Sequence, residues 1–252
     1  MTQAILRTRG LTKCFGGLVA TDGLDFEVLH GEVHAVIGPN GAGKTTLLNQ
    51  LIGELPADAG EIEFAGRNIT RLPSYRRALL GLSRSYQITS IFLEFTALEN
   101  VALAAQAHTG HSFGAWRPAI LEEALTHRAA AALDEVGLIS KKDSYAAALA
   151  HGERRQLEIA MTLVSKPKLL LLDEPMAGMG RSESEFMVKL LASLKARYTM
   201  LLVEHDMDAV FALADRITVL VYGRPIASGS PESIRKSADV KKAYLGERYA
   251  AR

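Results

Sequence analysis

The sequence contains one cysteine, Cys14, in 252 residues. No intramolecular disulfide can form, which sets aside the small cross-linked folds of secreted proteins and agrees with a reducing compartment. An excess of one charge is also missing, since 29 Lys and Arg face 28 Asp and Glu for a net +1 at pH 7. Such a balance leaves no overall electrostatic footprint for nucleic acid. Long apolar runs do not occur. The densest stretches, Leu169 to Leu172 and Met200 to Val203, are strand-length and far below the ~20 residues of a membrane span. Met1 to Arg9 holds too short an apolar run for a signal peptide. A soluble chain is expected, one that must dock onto a spanning partner if it works at a membrane. What remains, 48% hydrophobic and 23% charged residues, is ordinary globular usage and ample for a sizeable core.

Periodicity divides the chain into three stretches. Gly31 to Gly38 is a short apolar run bounded by glycines, which predicts a strand. Thr45 to Ile52 places Leu47, Leu48, Leu51 and Ile52 on one helical face, stopped by Gly53. Glu61 to Phe64 alternates as a half-exposed strand before a turn at Gly66-Arg67-Asn68. From about Ile88 to Val164 strand patterns give way to alanine-rich helices, Leu98 to Ala107 and Glu122 to Val136, with a loop at His108 to Pro118. After Pro167 strands (Leu169 to Leu172, Met200 to Val203, Ile217 to Val221) alternate with helices (Glu183 to Ala196, Asp206 to Ala214). That alternation predicts a mostly parallel sheet covered on both faces, an α/β core carrying a helical insertion.

Gly38-Pro39-Asn40-Gly41-Ala42-Gly43-Lys44-Thr45, followed by Thr46, matches the phosphate-loop pattern between a strand and a helix. Glycines let backbone N–H groups converge on phosphate oxygens, and the helix N-terminus adds its positive end. Lys44 is expected at the β- and γ-phosphates of ATP, and Thr45 Oγ on Mg²⁺. The strand Leu169 to Leu172 ends in Asp173 and Glu174. Asp173 is expected to hold Mg²⁺ and Glu174 to deprotonate the attacking water.

In this order the residues resemble an ABC-type ATPase over nearly the whole chain. Phe15 stands where such domains carry an aromatic that stacks on adenine. Gln87, in Ser85-Tyr86-Gln87, occupies the lid position, expected to sense the γ-phosphate, reach the metal and contact the membrane partner. Leu149-Ala150-His151-Gly152-Glu153 falls at the family's signature, followed by a helix from Arg154 to Val164. Ala177-Gly178-Met179-Gly180 resembles the D-loop, and His205 the switch histidine. The resemblance implies a single ABC ATPase domain over 1–252, a P-loop NTPase (RecA-like) α/β core with a mostly parallel sheet (about 1–87 and 165–252). An N-terminal antiparallel β part and an inserted α-helical subdomain (about 88–164) complete it. It further implies a head-to-tail dimer, of identical or paralogous subunits, around two ATP. Ala150, His151, Gly152 and Glu153 of one subunit then face the γ-phosphate of the other. Transmembrane permeases and, through them, a solute-binding protein are the implied partners. The chain would sit on the cytoplasmic face of the cell membrane, with no nucleic-acid partner.

Two positions depart from the family. Ala150 stands where serine is usual and can neither cap the helix nor bond a phosphate. Gly180 replaces the usual D-loop aspartate. A slow ATPase is expected, with a nucleotide-gated clamp as the alternative. The run His151 to Ala160, the loop His108 to Pro118 and the ending Val240-Lys241-Lys242-Ala243-Tyr244-Leu245-Gly246-Glu247 resemble ATPases of branched-chain amino acid importers and their urea- and amide-importing relatives. That ending is shared with lipopolysaccharide-type exporters, which lack the insertion.

Overall fold

The computed structural model describes residues 3–85, 91–107 and 123–242. In chain order, β1 (Ala4–Phe15) and β2 (Leu18–Leu29) form a hairpin, and β3 (Val33–Ile37) leads into helix α1 (Lys44–Ile52). β4 (Ala59–Phe64) and β5 (Arg67–Asn68) then join the hairpin as a four-stranded antiparallel sheet, in the order β2-β1-β4-β5. The turn predicted at Gly66-Arg67-Asn68 lies one residue earlier. Ala65 and Gly66 both have positive φ, 48° and 75°, which is what a two-residue hairpin loop demands. Arg67 and Asn68 therefore pair back onto Phe64 and Glu63.

The second sheet has six strands. Short α2 (Ser74–Leu79) precedes β6 (Leu82–Ser85). Helices α3 (Ala97–Ala107), α4 (Glu123–Glu135) and α5 (His151–Leu163) follow, then β7 (Leu169–Asp173), α6 (Arg181–Leu194) and β8 (Thr199–Val203). Helix α7 (Met207–Leu213), β9 (Arg216–Val221), β10 (Arg224–Gly229), α8 (Pro231–Lys236) and the turn-length α9 (Ala238–Val240) end the described chain. The sheet order is β10-β9-β3-β8-β7-β6, all parallel except β10.

The central strands are buried on both faces, so their apolar runs are continuous. Alternation sorts the side chains of β7 and β8 into two cores. Leu170, Leu172, Met200 and Leu202 pack with α3 to α6, whereas Leu169, Leu171, Leu201 and Val203 pack with α1 and the antiparallel sheet. One charged side chain lies inside the second region. Arg77 of α2, 2% exposed, donates to the carbonyls of Leu72, Gln50, Leu51 and Thr70. Two of these belong to the last turn of α1, whose carbonyl end favours a cation. Burial pushes the Arg77 pKa down to about 10, still far enough above neutrality to keep it charged.

Candidate functional site

The phosphate loop is held by backbone that tolerates no side chain at two places. A Cβ on Gly38 would run into the Leu220 carbonyl of β9, and one on Gly43, at φ 99°, into the Ala20 carbonyl of β2. Lys44, 9% exposed, donates from Nζ to Gly38 O at 2.6 Å and Pro39 O at 3.1 Å. Burial pushes its ammonium below the usual lysine range, while the Glu174 and Asp173 carboxylates pull it back up. Both acids thus act on the loop lysine. Asn40, Gly41 and Thr45 are exposed and Ala42 is buried, its carbonyl accepting from Gly223 N–H at 3.0 Å. Thr45 and Thr46 lie in the first turn of α1, where free N–H groups favour an anion.

Asp173, Glu174 and His205 reach the site from the ends of β7 and β8, with β8 hydrogen-bonded between β7 and the loop-bearing β3. Glu174 holds φ 48°, a left-handed conformation that costs an L-residue about 1–2 kcal/mol. Its N–H donates to Val203 O at 2.8 Å, which fixes the kink. His205 Nδ1 lies 3.8 Å from Glu174 Oε1 and 3.4 Å from Glu204 Oε2. Glu204 is 1% exposed and accepts from the N–H groups of Met176, His205 and Asp206 at 3.2, 2.7 and 3.2 Å. One buried carboxylate therefore ties the segment after Glu174 to the segment bearing His205.

Asp173, 2% exposed, uses only one of its oxygens. Oδ2 accepts from Arg84 Nη2 at 2.6 Å, and Oδ1 is buried with no hydrogen-bond partner. An orphaned carboxylate oxygen in a site of this charge fits a hard cation or its bound water, the usual ligand preference of Mg²⁺. Among the described residues no cluster of three or more His, Cys, Asp or Glu could cage a metal. A Mg²⁺ carried in on nucleotide phosphates requires none, since one or two protein oxygens suffice. Arg84 and Glu204 escaped sequence reasoning, because nothing in their local pattern marks Asp173 as the partner of the first or the Met176 N–H as a partner of the second.

The signature segment is built differently from its sequence reading. Helix α5 begins at His151 rather than Arg154, because Ala150 takes extended backbone as the N-cap and Glu153 Oε2 accepts its N–H at 3.0 Å. Lys141 pairs with Glu153 in turn. Ala150 offers no acceptor to the helix, as its side chain dictates. Gly180 stands in the same place on α6, where Glu183 Oε2 accepts its N–H at 3.1 Å. Ala150, Gly152 and Glu153 share a cavity of about 270 Å³ with Met179, Glu183 and Phe186, and His151 Nε2 approaches Ala177 O at 3.3 Å. Among the described residues no hydrogen bond or ion pair joins this segment to the phosphate loop of its own chain.

Phe15 is half exposed at the tip of the β1–β2 hairpin, with Lys13 Nζ 5.7 Å from its ring centre. Gln87 and the loop His108 to Pro118 lie outside the described residues, as do Ala243 to Glu247 of the C-terminal ending.

A phosphate loop closed by its lysine, beside an Asp-Glu strand end and a histidine on the neighbouring strand, defines a P-loop nucleotide-binding protein. Residues 21–177 match the model of the ABC transporter family, and residues 224–250 that of a branched-chain amino acid ATP-binding cassette transporter. The chain belongs to the ABC transporter ATP-binding family, an ATPase family. It is 41% identical to the high-affinity branched-chain amino acid transport ATP-binding protein BraF of Pseudomonas aeruginosa, over 98% of this chain and 100% of that protein. It is 39% identical to LivG of Salmonella typhimurium, named for the same transport, with the same coverage. Among solved structures, the ADP conformation of MJ1267, an ATP-binding cassette of an ABC transporter, superposes with a TM-score of 0.87. It is 32% identical, over 98% of this chain and 100% of that one. A nucleotide-free ATP-binding cassette from an ABC transporter gives 0.83 at 30% identity, over 99% and 98%. These likenesses bear out the expected P-loop α/β fold and ABC family.

Proposed function

We propose that this chain is the ATP-hydrolysing subunit of an importer for a branched-chain amino acid or related small solute, working as a head-to-tail dimer beneath partner permeases. The observation that carries the reading is a division of labour within one chain. The phosphate loop, Asp173, Glu174 and His205 converge, while the signature segment around Ala150 shares a cavity with α6 and, among the described residues, makes no hydrogen bond or ion pair to that loop. A second copy would bring its α5 N-terminus to the phosphate that the first copy cannot reach with its own. The relatives' names and the match at 224–250 support import over export.

In this reading Lys44 gives up the Gly38 and Pro39 carbonyls for the β- and γ-phosphate oxygens. Phe15 offers a ring to the adenine. Asp173 Oδ1 and Thr45 Oγ would hold the Mg²⁺ that accompanies ATP, with Gln87 as a further ligand. When bound, the metal neutralises phosphate charge. Glu174, fixed by its bond to Val203 O, orients a water and takes its proton. His205, steered by Glu204, hydrogen-bonds the γ-phosphate. Closure on ATP and opening after hydrolysis would move the helices α3 to α5 and whatever is docked on them. Among the described residues no helix is long and apolar enough to cross a membrane, so transport through the bilayer falls to the permeases, with the chain peripheral on the cytoplasmic face.

The test is steady-state Mg²⁺-ATP hydrolysis by the purified chain beside Glu174→Gln. Loss of a positioned base lowers turnover about 10²- to 10⁴-fold, with nucleotide binding retained. Equal turnover in both would overturn the role of Glu174. ATP binding without turnover in either would favour a nucleotide-gated clamp, the second reading, for which Ala150 is the motive.

A further inference from the structure

The buried guanidinium beside Asp173 belongs to none of the roles above. Arg84 sits near the end of β6, the edge strand beside β7, and is 9% exposed. Its Nη2 donates to Asp173 Oδ2 at 2.6 Å. Its Nη1 donates to Asn49 Oδ1 of α1 at 2.6 Å and lies 3.4 Å from Glu54 Oε2. One planar fork thus joins the end of β7 to the helix that opens at the phosphate loop. A fork of this kind fixes orientation as well as charge. The consequence shows in the carboxylate itself, since with Oδ2 taken, Oδ1 is left buried and without a partner.

We propose that Arg84 is a positioning residue for the metal end of the nucleotide site. It clamps one oxygen of Asp173 against α1 and so reserves the other for the cation that arrives with the nucleotide. Arg84 touches neither metal nor phosphate in this scheme and acts only through Asp173. The clamp also spans the two parts of the site that must keep register, because Asn49 rides on the same helix as Lys44 and Thr45. The inference rests on the reading of Asp173 as the metal carboxylate.

The test separates the two. The dissociation constant of a fluorescent ADP is measured in EDTA and in saturating Mg²⁺, and the ratio gives the metal's contribution. Mn²⁺ binding followed by electron paramagnetic resonance gives a second, direct readout. Groups that orient a metal-binding side chain typically account for about 10- to 100-fold of metal affinity. Arg84→Met is expected to lower the ratio by about that factor, while the affinity in EDTA, set mainly by the phosphate loop, changes less than the ratio does. Arg84→Lys, with the charge but a single head, falls between Arg84→Met and the native chain. Asn49→Ala leaves that arm of the fork on its longer contact to Glu54 Oε2 and gives a smaller loss. In an Asp173→Asn background Arg84→Met changes the ratio no further. An unchanged ratio in Arg84→Met overturns the proposal, and so does a larger one, which would make the guanidinium a competitor of the cation. Should Arg84→Met fail to fold, Arg84→Lys and Asn49→Ala decide by the same measure. If Asp173→Asn alone leaves the ratio intact, the metal role of Asp173 fails instead.

Discussion

Restoring a hydroxyl at Ala150 probes two functions at once. Ala150 lies at φ −63°, ψ 165°, the extended backbone from which an N-cap serine bonds the helix. Half of a reciprocal cap already exists, because Glu153 Oε2 accepts the Ala150 N–H at 3.0 Å. In Ala150→Ser the new Oγ accepts the Glu153 N–H and completes it. Serine in place of alanine at an N-cap is worth about 1 kcal/mol, which raises Tm by roughly 2–4 °C in a chain of this size. If the hydroxyl also bonds the γ-phosphate held by a second subunit, a charge-assisted bond of about 1.5–3 kcal/mol is added. Realised in the transition state, that speeds turnover roughly 10- to 100-fold. Thermal melts and Mg²⁺-ATP turnover on the same preparation read the two effects separately. A higher Tm with unchanged turnover would refute the place of residue 150 at the phosphate, and an unchanged Tm would refute the cap.

Three other substitutions follow from buried or capping charges. The Lys141 ion pair, then the Ala150 N–H, hold the Glu153 carboxyl below its usual 4.5. A depressed carboxyl stabilises above the unfolded value and loses that contribution as pH falls through the folded one. Glu153→Gln keeps an acceptor for the Ala150 N–H and loses mainly the partly exposed Lys141 pair, so it costs about 0.5 kcal/mol at pH 7, and its melting curve converges with that of the native chain below pH 4.5; a gap that persists in acid refutes this. Glu204→Gln sets an amide against three N–H donors, so about 1–3 kcal/mol of stability is lost, and turnover falls more than nucleotide affinity as His205 is released. Arg77→Met strands the Leu51, Thr70 and Leu72 carbonyls, while Gln50 O keeps the Gly53 N–H, and costs about 3 kcal/mol or more at about 1–3 kcal/mol per unsatisfied group, visible as a lower urea midpoint; a neutral result would mean that the carbonyls find water.

The parts of the molecule that were legible in the sequence are those whose physics is local. The phosphate loop announces itself because its glycines, lysine and hydroxyl must be contiguous, and β7 because a strand buried on both faces reads as unbroken leucine. Element ends were harder. Helix α5 starts a turn earlier than the Arg154 that the family resemblance suggested, since Glu153 caps it from inside, and α6 begins at Arg181 rather than Glu183 for the same reason. Polar residues joined across the chain were not legible. Arg84 meets Asn49 and Asp173, and Arg77 meets the end of α1, through contacts that no periodicity encodes. The turn at Ala65-Gly66 was displaced by one residue because alanine rarely takes a left-handed conformation and gives no warning when it does.

The strand order has a consequence for biosynthesis. β3, which delivers the phosphate loop, pairs on one side with β8 (Val33 with Met200) and on the other with β9 (His34 with Arg216). A ribosome therefore releases the loop long before either neighbour exists. Closing so distant a pairing is entropically expensive and slow. Until β8 and β9 emerge, the nascent chain displays its antiparallel hairpin and helices around an unmade centre. The pairings that seat the phosphate loop are therefore complete only late in synthesis, and a chain truncated before β8 leaves the leucines of β7 without their partners on Thr199–Val203.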